Sequence, residues 1–571
     1  MTSLYLPLHD KSWPCTGSER YAGWALRLIT LQRGAKGSDV VCQMEHTFIG
    51  SARNSYGALS YVWGDPQKSE FVNVNGHRIP ITKSLLETLM HLRTETSDRQ
   101  LWIDALCINQ SDIGELNIQV QRMGAIYEEA SEVVVFLGPE AEDSSRAIGL
   151  LRHLGSLTCG NHAAIRASLE DSSIMPRWHA LQKLFGRPWW TRAWIVQEFA
   201  VARNVLFICG FLELTGQKFG QALENLVDYR FKAVVAKEHE YLIRHVAKTP
   251  IHHLWSTRCV YRDRAKQSDQ RALNVLYKFR GSQCSDPRDK IYSMWSLIEK
   301  DPLLAPDYLK KTTDVYQSVV QATIESSGTL EVLTHHNRSM KSALNLPTWC
   351  PDWTIMRGKR ILLWPNRYSA CGKLERAYSK VANNVLTLKG KEVAQILQLS
   401  PFESDDFKNK PFIRLALKDL EKQATQCPYP EKDMSQRLST FHQTMVAARI
   451  RPIGPQGQSA SISPAVADEM WDAWCVAPDV VKLPEDRGAK LYDEALYSAL
   501  CGRSVLFTKS GHLGLVDSNA QVGDRLFVFS GAQVLFCIRD ISGLGTQMFE
   551  FVGEWYVLIT HHSYNAPSTD L

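Results

Sequence analysis

The sequence predicts an α/β protein: a mostly parallel sheet with helices on its faces near the N-terminus, then a mainly helical region, then a strand-rich region. Three observations carry this. Between residues 58 and 138, apolar runs of strand length alternate with stripes of helical period. Residues 213–345 keep the helical period, with SDPRDK at 285–290 as a polar loop before another apolar stripe. From residue 346 onward, short apolar runs such as SVLFTKSGHLGLV, DRLFVF and FEFVGEWYVLI are separated by glycine turns. The expected division is a weakly patterned N-terminal arm at 1–50, an α/β domain at 51–212, the helical region at 213–345 and the strand-rich region at 346–571. A stretch near 425–470, rich in Pro, Gln and Ser, reads as a loop insertion.

The elements justify themselves in order. The first fifty residues hold one short apolar stretch, Trp24 to Leu31, and read as a docking arm. ALSYVW, from Ala58, reads as a buried strand that Gly64-Asp65-Pro66 ends, since proline cannot continue the ladder and glycine allows a sharp turn. FVNVNGHRIPIT is a hairpin around Asn75-Gly76. Thr82 is placed to cap the helix KSLLETLMHLR. QLWIDALCI is the second strand, interrupted by Asp104. Asp112 and Glu115 have capping-box spacing for a helix whose Leu116, Val120, Met123, Tyr127 and Ala130 form one apolar stripe. VVVFLG and VLFICG are the third and fourth strands.

FGRPWWTRAWIVQEFAVAR, residues 185–203, precedes the fourth strand. Pro188 suits the first turn of a helix, and Trp190, Trp194, Glu198 and Val201 then recur at spacings of four, four and three. Ile195, Phe199 and Ala202 make a second stripe, so the helix is apolar almost all round and should be buried. Glu198 is the one acid within it. Burying a lone carboxylate is costly, so either its pKa rises or a cation pairs with it. Glu198 is therefore a candidate functional acid, and the alternative is a structural ion pair with Arg192 or Arg203.

Composition narrows the function classes. A net charge of +5 over 571 residues, with scattered Lys and Arg, gives no footprint for nucleic acid. No apolar stretch approaches the roughly 20 residues of a membrane span. The opening MTSLYLPLHDKSWPC has no charged region followed by an apolar core, so a cytosolic or nuclear protein is expected. Thirteen cysteines without a CxxC pair fit reduced thiols, and the Asn337–Ser339 sequon then reads as accidental. The His pairs at 252/253, 335/336 and 561/562 lack HExxH spacing, and no metal is expected.

ALSYVWGDP, LWIDALCINQSDIGELNIQVQRMGAIYEEASEVVVFLG and RPWWTRAWIVQEFA resemble, in order and at fitting separations, the three signature blocks of the fungal heterokaryon incompatibility (HET) domain. The similarity is clearest over residues 55–205. It continues through CSDPRDKIYSMWSL, Pro306-Asp307-Tyr308, LPTWCPDW and the last strands, and departs from the family pattern at LITHHSY, where a glycine-rich stretch and an acid are more usual. The resemblance implies a cytoplasmic protein of filamentous fungi whose relatives act in nonself recognition and programmed cell death when unlike hyphae fuse. Some relatives lie in secondary-metabolite gene clusters, which implies an accessory or biosynthetic role as an alternative. No GxxxxGK[ST] loop accompanies the domain. Regulation then falls to the later regions, to self-assembly or to a protein partner.

The HET domain is in turn similar to the Toll/interleukin-1 receptor (TIR) domain, which implies a flavodoxin/TIR-like parallel sheet for residues 51–212. LSYVWGD is similar to the first TIR strand and loop, and Trp194 to Glu198 to the helix bearing the glutamate of NAD-cleaving relatives. That comparison implies a second alternative: an NAD-cleaving enzyme in which Glu198 supports positive charge on the ribose carbon. No cofactor is assigned, and NAD enters only as that implied substrate. Tyr61, Trp63 and Asp65 at the end of the first strand, Asp104 in the second, and Trp194 are the associated ligand-binding candidates, near the carboxyl edge of a parallel sheet. Each has a plainer reading: Asp104 as a turn cap, Trp63 and Trp102 as core, Asn109, Gln110 and Asp112 as loop polar groups and a helix cap, and Cys107 as a buried inert thiol.

Overall fold

A nine-stranded mixed sheet organises the first of two units into which the chain divides, residues 1–312 and 313–571. The computed structural model describes residues 4–11, 21–35, 37–158, 160–170, 174–232, 250–263, 272–298, 302–336, 342–356, 377, 379–426, 433–447, 449–450, 460–477, 487–542, 548–557 and 569–570. The sequon at 337–339, the His pair at 561/562 and the LITHHSY segment lie outside them.

In the first unit, β1 (Ala25–Leu31) and β2 (Val41–Phe48) come first, followed by the short helix α1 (Ile49–Ala52) and β3 (Gly57–Ser60). The hairpin β4 (Glu70–Val74) and β5 (His77–Ile81) turns at Asn75-Gly76, both at positive φ (52° and 80°), as a two-residue turn matched to strand twist requires. Thr82 caps α2 (Lys83–Leu92) by accepting the Leu85 N–H at 3.3 Å. Then come β6 (Arg99–Trp102), the single turn α3 (Asp104–Cys107), α4 (Ile113–Glu129) and β7 (Glu132–Phe136). Asp112 caps α4 as expected, taking the Glu115 N–H at 3.1 Å. The reciprocal half of the box is absent because Glu115 turns to the Asn109 N–H (2.8 Å) and to Arg27. Helices α5 (Ser144–Leu154), α6 (His162–Glu170), α7 (Met175–Phe185) and α8 (Ile195–Val201) lead to β8 (Val205–Cys209), β9 (Leu212–Thr215) and α9 (Gly216–Lys232).

The spatial order is β5-β4-β2-β1-β6-β3-β7-β8-β9. Only the centre, β6-β3-β7-β8, is a continuous parallel block. β1 runs antiparallel to both β2 and β6, and β9 antiparallel to β8, so the sheet is mixed rather than mostly parallel. Strands β3 and β7 are buried and mainly apolar, with Ser60 ending β3 and a half-buried Glu132 starting β7, as central strands covered on both faces require. The stretch read as a docking arm instead contributes two strands. Its pattern was weak because β2 alternates buried and exposed residues, VCQMEHTF, around charged positions.

Helices Pro250–Arg262, Ala272–Lys278, Asp289–Tyr292 and Thr312–Ser327 make the middle of the chain helical. In the second unit, β10 (Ser379–Ala382) pairs with β11 (Val385–Phe402). β12 (Arg449–Ile450) and β13 (Ala460–Ser461) form a separate pair, and β14 (Arg503–Thr508), β15 (Leu513–Asp517), β16 (Arg525–Phe529), β17 (Leu535–Asp540), β18 (Phe549–Val557) and β19 (Thr569–Asp570) follow. The first part of β11 pairs with β16 and its last part with β14, so β11-β14-β15-β18-β17-β16 closes into an antiparallel ring. Leu506, Val516, Leu526, Cys537 and Trp555 share one cluster. Val505, Phe507, Leu513 and Leu515, of alternate parity on β14 and β15, pack instead with the helices Lys410–Gln426, Met434–Met445, Pro464–Val476 and Arg487–Leu500.

The stretch read as a loop insertion is thus mainly helical where it is described, with the short β12–β13 pair between its helices. Its buried face includes polar residues. His442, stacked on Trp471, has Nδ1 2.6 Å from Asp468 and Nε2 2.7 Å from Glu421, and Gln443 donates to the Ile462 carbonyl. A pattern search for apolar periodicity passes over such a face.

Candidate functional site

The W-W-x-x-x-W-x-x-x-E stretch does not form one helix. Pro188–Thr191 is a 3₁₀ turn, Arg192 is extended, the chain bends at Ala193, and α8 starts after Trp194. The break has a cause outside the segment: Gln283 pairs with it as an isolated parallel bridge, donating to the Thr191 carbonyl at 2.5 Å and accepting the Ala193 N–H at 2.8 Å. Trp190 and Trp194 therefore part company. Trp190 stacks on Phe207 and Phe219 at 5.8 and 5.6 Å, while Trp194 points its indole N–H at Asp289 Oδ2, 3.1 Å away.

Glu198 is buried on α8, 2% exposed. Its carboxylate accepts the hydroxyl of Ser60, the last residue of β3, and Ser60 Oγ accepts the Trp189 indole N–H at 2.9 Å. Burial pushes the Glu198 pKa up to about 7 against the pull of Arg192 and the Ser60 hydrogen bond, with Asp104 adding to the rise. The structural ion pair is not how the charge is managed: the Arg192 guanidinium donates to the Tyr61 carbonyl, and Arg203 binds Glu129 and Asn54. A carboxyl in this setting is divided between acid and base forms near neutrality, the condition for proton transfer.

Around Glu198 the strand ends bring several of the expected residues together. Tyr61 is buried, and burial together with the nearby Asp104 and Glu198 raises its phenol pKa well above the ordinary value, with Arg192 opposing. Asp104 opens α3 beyond the end of β6. Burial raises its pKa against Arg192, the Ala105 N–H at 2.7 Å and the Trp63 indole N–H at 3.0 Å. Trp63 is 37% exposed, so it is not core, whereas Trp102 is buried edge-on to Tyr127 at 5.5 Å. Tyr127 donates to the Leu59 carbonyl at 2.9 Å and faces Glu198 and Asp104. Asp65 stands apart: it is exposed and accepts the Gln67 N–H at 2.9 Å, closing its own turn. Cys107 accepts the Ile103 N–H at 3.3 Å, and burial pushes its thiol up to about 12, which leaves it un-ionised.

Several residues that shape this edge were not singled out from sequence. Arg27 on β1, buried, grips Glu115 with both terminal nitrogens (2.6 and 3.0 Å) and donates to the Cys107 carbonyl at 3.0 Å, fixing the turn that carries Asp104. Arg187 donates to the carbonyls of Leu137, Pro139 and Ala141, holding the loop after β7. Asp289, inside SDPRDK, takes the Tyr308 hydroxyl on Oδ1 at 2.7 Å, and burial pushes its pKa up to about 6. One signal was readable: Asp289 leads an apolar run, Ile291, Tyr292, Met294, Trp295, much as Glu198 interrupts one.

Comparison with known proteins follows the same geography. Residues 56–198, from the residue before β3 to Glu198, match the family model described as heterokaryon incompatibility protein (HET). Residues 482–558 match the Het-6 beta-barrel domain, which includes β14 to β18 but not β11. The chain is 25% identical over 650 residues to heterokaryon incompatibility protein 6, OR allele, of Neurospora crassa, with 93% of each chain covered. No solved structure matches it. The signature blocks, the family models and a relative aligned along nearly the whole length agree: the chain carries a HET domain and a Het-6 barrel and is similar throughout to a fungal heterokaryon incompatibility protein.

Proposed function

We propose that the protein acts in heterokaryon incompatibility, as a nonself-recognition effector that stops growth and triggers cell death in the cytoplasm after unlike hyphae fuse. One observation carries the reading: the HET module and the Het-6 barrel occur together in a chain aligned over 93% of a heterokaryon incompatibility protein and 93% of itself. In this reading the chain works by self-assembly or through a protein partner. The test is induced expression of the full chain in a fungal host that lacks it, followed by fusion with strains of differing genotype. Growth arrest and dye uptake confined to particular pairings are expected. Fused cells that all grow like the parent overturn the proposal.

A second reading, NAD cleavage using Glu198, has its own support. The parallel strands β3, β6, β7 and β8 stand in the spatial order β6-β3-β7-β8, the 2-1-3-4 arrangement of flavodoxin-like sheets, which bind ligands outside the carboxyl ends of their strands. Glu198, Tyr61 and Asp104 gather at that edge beside the half-exposed Arg192 and the more open Trp63. Glu198 needs its charged form and a path to substrate, and its burial under Ser60 opposes both. Cellular NAD⁺ after induction of wild type and Glu198→Gln, at matched soluble amounts, separates the readings. A fall with wild type alone favours the enzyme, and arrest at constant NAD⁺ favours the effector that acts by binding.

A further inference from the structure

The short stretch that presents Arg192 to Glu198 is held from outside the HET signature. Gln283 clamps residues 191 and 193 through its backbone, and Asp289 holds the ring of residue 194. Arg192 lies between these clamps, its guanidinium reaching the Tyr61 carbonyl, where it faces both Glu198 and Asp104. The Asp289 carboxylate is itself fixed. Tyr308 donates to its other oxygen, its backbone N–H bonds to the Asp286 carbonyl, and its own carbonyl accepts the Ser293 hydroxyl at 2.5 Å.

Asp289 is 9% exposed, and its carboxylate takes two neutral donors, the Tyr308 hydroxyl and the Trp194 indole. Burial raises its pKa, so its charged form is not held there by a favourable environment. A buried acid of this kind adds little to stability compared with apolar packing of the same volume. What it supplies is a defined geometry for the groups that point at it. Here those groups are Trp194, at the head of α8, and Tyr308, from the segment that also bonds Asn117 of α4.

We propose that Asp289 is a positioning residue for the Glu198 cluster: by orienting Trp194 it sets the start of α8 and the backbone from which Arg192 reaches the Tyr61 carbonyl beside Glu198. Asp289 lies outside residues 56–198, so the working site is larger than the signature. This inference rests on the reading that the Glu198 cluster carries the protein's activity.

The experiment uses the full chain as wild type, Asp289→Asn, Tyr308→Phe and Glu198→Gln. Two readouts are taken: growth arrest on induction, and the titration midpoint of Glu198 from its carboxyl infrared band, with each form measured against its own Glu198→Gln counterpart. Arg192 lowers the Glu198 pKa. Loosening Arg192 through Asp289→Asn is therefore expected to move the midpoint up by about one pH unit and to reduce arrest towards the Glu198→Gln level. Tyr308→Phe is expected to shift it less, in the same direction, and carries the test alone should Asp289→Asn not fold. A folded variant with midpoint and arrest both at wild-type values overturns the proposal. Glu198→Gln arresting growth as well as wild type defeats the underlying reading instead, and the midpoint still reports whether Asp289 positions the cluster.

Discussion

Ser60 stands between Glu198 and the indole of Trp189, donating its hydroxyl proton to the one and accepting a hydrogen from the other. A side chain of two heavy atoms thereby joins the end of the central parallel strand to both halves of the broken tryptophan segment. It also supplies the nearest hydrogen bond to a carboxyl that burial keeps near neutrality.

Ser60→Ala should cost about 1–3 kcal/mol, the penalty for leaving a buried polar group without its partner. Because the serine hydrogen bond lowers the Glu198 pKa, its loss should also raise that pKa. Urea denaturation reads the first effect and carboxyl infrared titration the second. A stability unchanged from wild type would show that the serine bridges nothing.

Glu198 should make the protein less stable as pH rises. Its folded pKa, about 7, lies above the ordinary value of 4.5, so between those values the folded chain holds more protons than the unfolded one. Its contribution therefore falls from about pH 4.5 and levels off above about 7, by on the order of 3 kcal/mol in all. Asp289 acts with the same sign up to about pH 6. Denaturation midpoints of wild type and Glu198→Gln across this window should diverge, the variant losing less stability as pH increases.

Arg27→Met should be severe, on the order of 3–5 kcal/mol, because it leaves the Glu115 carboxylate without its cation and the Cys107 and Leu6 carbonyls without a donor. Adding Glu115→Gln should restore part of the loss. Thermal melts of the two single variants and the double variant test this, and simple additivity would disprove the coupling.

Gly124→Ala tests the packing of α4. A Cβ there would lie 2.2 Å from Ser296 Cβ. The overpacking, roughly 1–3 kcal/mol, should exceed the gain of about 1 kcal/mol in helix propensity. The variant should melt below wild type, and Ser296→Gly in the same chain should recover most of the difference.

Much of this was legible in the residues. Asn75-Gly76, Thr82 and Asp112 fixed a turn and two helix starts because each acts on its neighbours alone. The burial of Glu198 followed from the apolar faces around it. What the sequence concealed is long-range. The split between Trp190 and Trp194 depends on Gln283, some ninety residues away. The mixed character of the sheet depends on β1 pairing with β6. Asp65 sat beside the right strand, but its carboxylate was satisfied two residues on and never joined the cluster. Trp63 lies at the mouth of the edge rather than in the core, a distinction that composition does not carry.

The barrel's closure has a consequence for the chain as it is made. Beyond Leu388, where β10 already pairs with it, β11 leaves the ribosome unmatched, since its partners β14 and β16 lie more than a hundred residues downstream. At about 5–20 residues per second this bare stretch waits roughly 5–30 s for them. During that interval the nascent chain is open to strand pairing with its neighbours on a polysome, and chaperone supply should limit yield more for this unit than for the first.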